Sequence, residues 1–360
     1  MAISDVKNMH GGKVFQAARD LGLSLEQILD FSASINPLGM ADRVWQSATD
    51  AIKTSIHYPE VDAASFVDSL TEYHELSHAN FLAGCGSTEL IYLVPRCFKP
   101  KKALIVTPAF SEYTRALQQV GCKIIEFPLL ATDDFSFDAK AVLAAVDKKT
   151  DVVIVANPGN PTGVGIERKE LQLLADGLPE TTLLVVDEAF VDFCPEKSII
   201  EEVNERKNLL VLRSLTKFYA IPGLRAGYLA GPDDKVRQLA AASEPWSLST
   251  PAIAAARACL FEDEYRQKTL KLIPQWRQHL IDGLSVLDLH VFPSSANYLL
   301  VKLPQNGRTS GTVTRVLYQQ GILVRDCSDF SSLDERYFRV AVRGAQENLR
   351  LLGGIKGVLL

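Results

Sequence analysis

The residues best equipped for chemistry stand in one run, Ser214-Leu215-Thr216-Lys217, with Arg225 following beyond Pro222-Gly223. The apolar stretch Asn208 to Leu212 reads as a buried strand that delivers Ser214 and Lys217 to its end. Ala226 to Ala230 reads as a second strand after the Pro-Gly break. A hydroxyl, an ammonium and a forked guanidinium held at two strand ends can surround a phosphate. A lysine at a strand mouth is by itself an ordinary solvated charge, so the reading rests on its company.

Other chemistry-bearing groups also fall where strands should end. Gly84-Cys85-Gly86-Ser87-Thr88 follows a strand and opens a helix, where free N–H groups and two hydroxyls can bind a phosphate. It is neither a dinucleotide fingerprint nor a P-loop, and alone it reads as a plain strand–turn–helix. Asn157-Pro158-Gly159-Asn160-Pro161-Thr162-Gly163 is, by composition, a rigid loop. Val185-Val186-Asp187-Glu188-Ala189-Phe190 sets a carboxylate at the end of an apolar strand, where a solvent-facing turn is the plainer reading. Phe110, in Thr107-Pro108-Ala109-Phe110-Ser111-Glu112-Tyr113, is either a stacking surface or ordinary core. Arg325 and Arg339, in Val324-Arg325-Asp326 and Phe338-Arg339-Val340, suit bidentate binding of an anion or a surface ion pair.

Taken in order, these motifs resemble the fold-type I pyridoxal-phosphate (PLP) enzymes, the superfamily of aspartate and histidinol-phosphate aminotransferases. The resemblance implies that Lys217 carries the cofactor as a Schiff base and that Asp187 pairs with its pyridine nitrogen, so that these two are the catalytic pair. It further implies that Asn160 donates to the phenolic oxygen and Phe110 stacks on the ring. Gly86, Ser87, Thr88, Ser214 and Arg225, with Tyr58 from a partner subunit, would hold the phosphate. Arg339 would take the substrate α-carboxylate and Arg325 a substrate phosphate. Phe190 departs from most aminotransferases, which place a tyrosine there to bond the phenolic oxygen. The N-terminal block His10-Gly11-Gly12 with Ile28 to Gly39, including Asn36, is similar to that of the threonine-phosphate decarboxylases, which supply the aminopropanol arm of cobalamin. In that branch His10 and Asn36 would help hold substrate. The implied activity is decarboxylation of O-phospho-L-threonine, with a histidinol-phosphate-type aminotransferase as the alternative. The implied assembly is a homodimer with the site at its interface.

Two patterns point elsewhere. His74-Glu75-Leu76-Ser77-His78 satisfies H-E-x-x-H, but Ser77 and Asn80 suggest that the helix ends before both histidines can share a face, so no metal is expected. Ser214-Leu215-Thr216-Lys217 also reads S-x-x-K, without the companion motifs of the serine β-lactamases.

Positioning these groups requires an α/β chain. Short strands, several apolar on both faces, alternate with helical patterns up to about residue 250: Asn80 to Ala83, Ala103 to Val106, Lys123 to Phe127, Val152 to Ala156, Leu183 to Val186, Leu209 to Leu212 and Gly227 to Ala230. This predicts a mostly parallel seven-stranded sheet covered by helices, with ligands beyond its carboxyl ends. We expect an arm at 1–38, a large cofactor domain at 39–250 and a smaller α+β domain at 251–360. The last begins with a long helix, Pro251 to Leu287, broken at Pro274. The chain's 360 residues suffice for two such domains, and a net charge of −5 gives no electrostatic reason to expect nucleic acid or an anionic membrane. Six scattered cysteines without C-x-x-C pairs are expected as buried thiols in a reducing, cytoplasmic setting. No apolar run approaches the ~18 residues of a spanning helix.

Overall fold

The computed structural model describes residues 11–305 and 307–359. The arm begins with helix α1 (Val14–Leu21), stopped by Gly22 in the left-handed region at φ 64°. Ser24 then opens a single 3₁₀ turn, its N–H held by Gln27 Oε1 at 2.8 Å, and β1 (Leu29–Asp30) follows.

Helices α2 (Asp42–Ile52) and α3 (Ala64–His74) precede the central sheet. Its strands are β2 (Phe81–Gly84), β3 (Lys102–Thr107), β4 (Lys123–Pro128), β5 (Val152–Ala156), β6 (Leu183–Asp187), β7 (Leu209–Ser214) and β8 (Gly227–Ala230). They lie in the order β2-β8-β7-β6-β5-β3-β4, and only β8 runs against the rest. The helices between them are α4 (Gly86–Phe98), α5 (Ser111–Gln119), α6 (Ala139–Ala145), α7 (Arg168–Gly177) and the short α8 (Leu215–Phe218), and α9 (Asp233–Ala242) follows β8. Side chains alternate across a strand, so one apolar run feeds two cores. Leu104, Val153, Val155, Leu184, Val186 and Val211 pack on one face, and Ala103, Ile105, Val152, Ile154, Val185 and Leu212 on the other.

After α10 (Thr250–Leu260) and α11 (Asp263–Ser285) come β9 (His290–Val291), β10 (Tyr298–Lys302), α12 (Ser310–Gln319), β11 (Ile322–Leu323), β12 (Arg325–Asp326), β13 (Tyr337–Ala341) and α13 (Ala345–Leu359). The expected single helix broken at Pro274 is instead two helices parted at Phe261–Glu262, with Pro274 inside the second. The lost backbone bond is tolerated because Thr269, Ile273, Leu280 and Leu284 keep α11 buried on both sides of the proline. Strands β12-β13-β10-β9 form an antiparallel sheet in which Arg325 and Arg339 are register partners. Direct opposition sends both guanidiniums off one face, an arrangement of like charges that costs stability and that the Asp329 carboxylate beside Arg325 offsets. The arm is stitched to this sheet: β1 pairs in parallel with β11, and Ala341 N–H donates to Phe31 O at 2.8 Å.

All six cysteines are free; Cys122, Cys194, Cys259 and Cys327 are buried as expected, whereas Cys85 and Cys97 are only half-buried. Among the described residues, no helix is long and apolar enough to cross a membrane.

Candidate active site

A cavity of about 250 Å³ opens where the carboxyl ends of the central strands meet the arm and the antiparallel sheet. Its walls include Ser87, Thr88, Phe110, Asn160, Asp187, Lys217, Arg325 and Arg339, eight residues singled out from the sequence. The register explains the convergence. Ala156 is paired with Asp187, Asp187 with Leu212, and both Ser214 and Gly84 with Gly227, so these strands end at one level.

Lys217 leaves the first turn after β7. Its Nζ donates to Thr216 Oγ1 at 2.7 Å and lies 3.5 Å from Ser214 Oγ. Burial pulls its pKa down to about 8; Asp187 opposes that fall, while Arg225 and Arg339 add to it. Asp187, at the end of β6, is buried. Its Oδ2 accepts the Tyr113 hydroxyl at 2.6 Å and its Oδ1 the Ala189 N–H at 2.9 Å. Desolvation pushes its carboxyl upward, and these two donors and Lys217 resist. Phe110 forms one wall, edge-on to Tyr113 at 5.9 Å and 87°. Phe190 forms another, with Lys217 Nζ 5.8 Å from its ring centre.

Ser214, Gly86 and Arg225 do not line the cavity but lie behind it. Arg225 Nη2 reaches Cys85 O at 3.4 Å, and a Cβ on Gly86, whose φ is +74°, would come within 2.6 Å of that nitrogen. A Cβ on Gly227 would strike Ser87 N at 2.7 Å. Two glycines therefore let a guanidinium and a neighbouring strand close on the N-terminus of α4, which makes a cradle for an anion. Amine, buried acid, aromatic wall and anion cradle together fit PLP. The cradle would hold its phosphate through Ser87, Thr88, Ser214 and Arg225, and Asp187 would face its ring nitrogen.

On the opposite side, Arg339 donates Nη1 to Asn160 Oδ1 and Nη2 to Ser32 O at 2.9 Å. A guanidinium has more N–H donors than these bonds consume, and Asn160 keeps its amide N–H donors. Arg325 forks Nη2 onto both oxygens of Asp329, at 2.9 and 2.8 Å, and lies over the Phe330 ring. An incoming anion must therefore share Arg325 with Asp329.

Two expected residues are elsewhere. Asn36 is not a cavity residue: its Nδ2 donates to Phe218 O and Thr269 Oγ1, both at 2.8 Å, and its N–H to Lys217 O at 3.0 Å. Its amide N–H donors tie the arm to the lysine turn and to α11, and its Oδ1 accepts the Leu38 N–H at 3.1 Å. Tyr58 is 81% exposed, stacked on Trp246 with ring centres 4.9 Å apart, and does not reach its own chain's cavity. His10 lies outside the described residues. Tyr113, Thr216, Ser32 and Asp329 were not singled out from the sequence. Only Tyr113 left a usable signal, one helical turn after Phe110.

The H-E-x-x-H pattern is broken as the sequence suggests. Helix α3 ends at His74, and Glu75 takes the left-handed conformation at φ 56°. His74 turns inward to Tyr228 Oη at 2.7 Å, with burial and Arg213 pulling its pKa to about 3, while His78 faces solvent beside Asp68.

Residues 26–353 match the family described as aminotransferase class I and II. The chain is 40% identical to the threonine-phosphate decarboxylase of Salmonella typhimurium, over 97% of this chain and 96% of that protein. It is 29% identical to a histidinol-phosphate aminotransferase of Methanocella arvoryzae, over 99% and 98%. Among solved structures it resembles the L-threonine-O-3-phosphate decarboxylase of Porphyromonas gingivalis, with TM-score 0.81 and 26% identity over 92% of this chain and 99% of that one.

Proposed function

This chain belongs to the class I and II aminotransferase family, a PLP-dependent family, and on that premise we propose that it decarboxylates O-phospho-L-threonine to aminopropanol phosphate. The observation that carries this reading is the 40% identity, along nearly the whole chain, to a threonine-phosphate decarboxylase. Two features of the cavity agree with it. Arg325 and Arg339 side by side suit a substrate with two anionic groups. Phe190 leaves no phenol at its position, and the neighbouring Tyr298 spends its hydroxyl on Gly159 O at 2.6 Å.

Bound in the cavity, PLP supplies an electron sink for the pair released when a bond at the substrate α-carbon breaks. Lys217 would hold the cofactor until substrate arrives, and Asp187 would hold the proton on its ring nitrogen. Arg339 fixes the substrate carboxylate and Arg325 its phosphate, exchanging part of its bond to Asp329. Asn160, itself braced by Arg339, orients the ring. With carbon dioxide as the leaving group, Lys217, its Nζ freed when the substrate amine takes its place on the cofactor, would be the residue to return a proton to the α-carbon. In this reading residues 39–250 hold the cofactor, while the arm at 1–38 and residues 251–360 hold the substrate.

A second copy of the chain completes the site. Trp45, Ile52, Ile56, Tyr58, Val61 and Trp246 are large exposed apolar groups, and a homodimer that covers them brings the partner's phosphate-binding tyrosine to the cavity. The working compartment is the cytoplasm.

The test is to supply O-phosphothreonine with no keto acid and measure CO₂. Stoichiometric release is expected. No release, with turnover of histidinol phosphate and 2-oxoglutarate, would establish the aminotransferase instead.

A further inference from the structure

We infer that Tyr113 is a positioning residue for the acid of this site: its hydroxyl holds Asp187 in one orientation as an anion, and so keeps the proton between acid and cofactor on the ring nitrogen. The inference rests on the reading that Asp187 faces that nitrogen.

Tyr113 is buried on α5, and its hydroxyl donates to Asp187 Oδ2 at 2.6 Å. Ala189 N–H, from the turn after β6, donates to Oδ1 at 2.9 Å. Each oxygen thus takes a donor from a different element, which fixes the plane of the carboxylate. Burial and the adjacent Asp187 push the phenol well above its ordinary value, so Tyr113 stays a donor. The same helical turn carries Phe110, edge-on at 5.9 Å, so one element delivers both the aromatic wall and the clamp on the acid.

The chemistry follows from where one proton sits. A carboxylate and a pyridine nitrogen in hydrogen-bond contact share a proton, which goes to the more basic atom. A buried carboxylate is strongly basic, because desolvation penalises its charge. A hydroxyl donated to it lowers that basicity, so the nitrogen keeps the proton and the ring remains a strong electron sink. Without the hydroxyl the proton moves toward Asp187, and the pair approaches neutrality.

The experiment uses holoenzyme loaded with PLP labelled with ¹⁵N in the ring, with the nitrogen shift read by NMR. Wild type is expected at the protonated position. Tyr113→Phe, which removes only the hydroxyl, is expected to move toward the unprotonated position and to lose cofactor faster on dialysis. Its kcat for CO₂ release should fall roughly tenfold to a hundredfold, the effect of one hydrogen bond to a charged group, with KM little changed. Tyr113→Met is the second variant, read in the same way should the first not fold. Tyr92→Phe, which deletes a tyrosine bond to Glu112 outside the cavity, should leave the shift in place. A protonated nitrogen in both wild type and the Tyr113 variants, with unchanged cofactor retention, overturns the inference and leaves the cofactor reading standing. An unprotonated nitrogen in wild type overturns the assignment of Asp187 itself.

Discussion

Lys217 should react as an amine at neutral pH, and the structure gives the size of the effect. In the cofactor-free protein its pKa is drawn from the ordinary lysine value of 10.5 to about 8, chiefly by burial. At pH 7 the neutral fraction is then about one in ten, against roughly one in three thousand for a solvated lysine, a gain of about 300-fold. The signs of its neighbours make the effect testable by substitution. Asp187 raises this pKa and Arg225 lowers it. Asp187→Asn should therefore shift reactivity to lower pH, and Arg225→Met to higher pH. The assay is competitive labelling of the cofactor-free protein with trace acetic anhydride across pH 6–11, followed by peptide mass spectrometry, with an added free-lysine peptide as internal standard. The expected midpoint for Lys217 is near pH 8. A midpoint at or above 10, or shifts of the opposite sign in the two variants, would refute the argument that burial activates this amine.

Three further outcomes follow. Gly86→Ala puts a methyl within 2.6 Å of Arg225 Nη2 on a residue at positive φ, so PLP affinity measured by equilibrium dialysis should fall about tenfold or more. Asn36→Ala removes the donor to Thr269 Oγ1 and the acceptor for the Leu38 N–H, and leaves Phe218 O with the Tyr265 hydroxyl at 3.1 Å; it should cost about 1–3 kcal/mol in denaturant titration while leaving KM for substrate close to wild type. On the proposed homodimer, Trp45→Asp combined with Ile56→Asp is expected to give a monomer by sedimentation with weakened cofactor retention, since the phosphate-binding tyrosine there comes from the partner.

Much of the architecture was legible because burial writes itself into local pattern. Val152 to Ala156 and Leu183 to Val186 are short runs apolar on both faces, as an interior strand requires, and every expected strand of the central sheet is found. The convergence of Lys217, Asp187, Asn160 and Ser87 was legible too, since each follows an apolar strand and parallel strands end at one edge. Local pattern misled where context overrode propensity. Pro274 sits within a helix because packing along α11 outweighs one missing backbone bond.

The chain alone thus determined which residue types stand at which strand ends, because alternation and turn residues act over a few positions. Only the tertiary structure decided which donor meets which acceptor. Tyr113 finds Asp187 across 74 residues, Asn36 donates to the lysine turn and to α11, and Arg325 and Arg339 face out together through strand register. Those choices depend on how a helix seats against a sheet edge and how two strands align. No short stretch of sequence encodes that geometry, since a hydrogen bond is fixed to a few tenths of an ångström by everything packed around it.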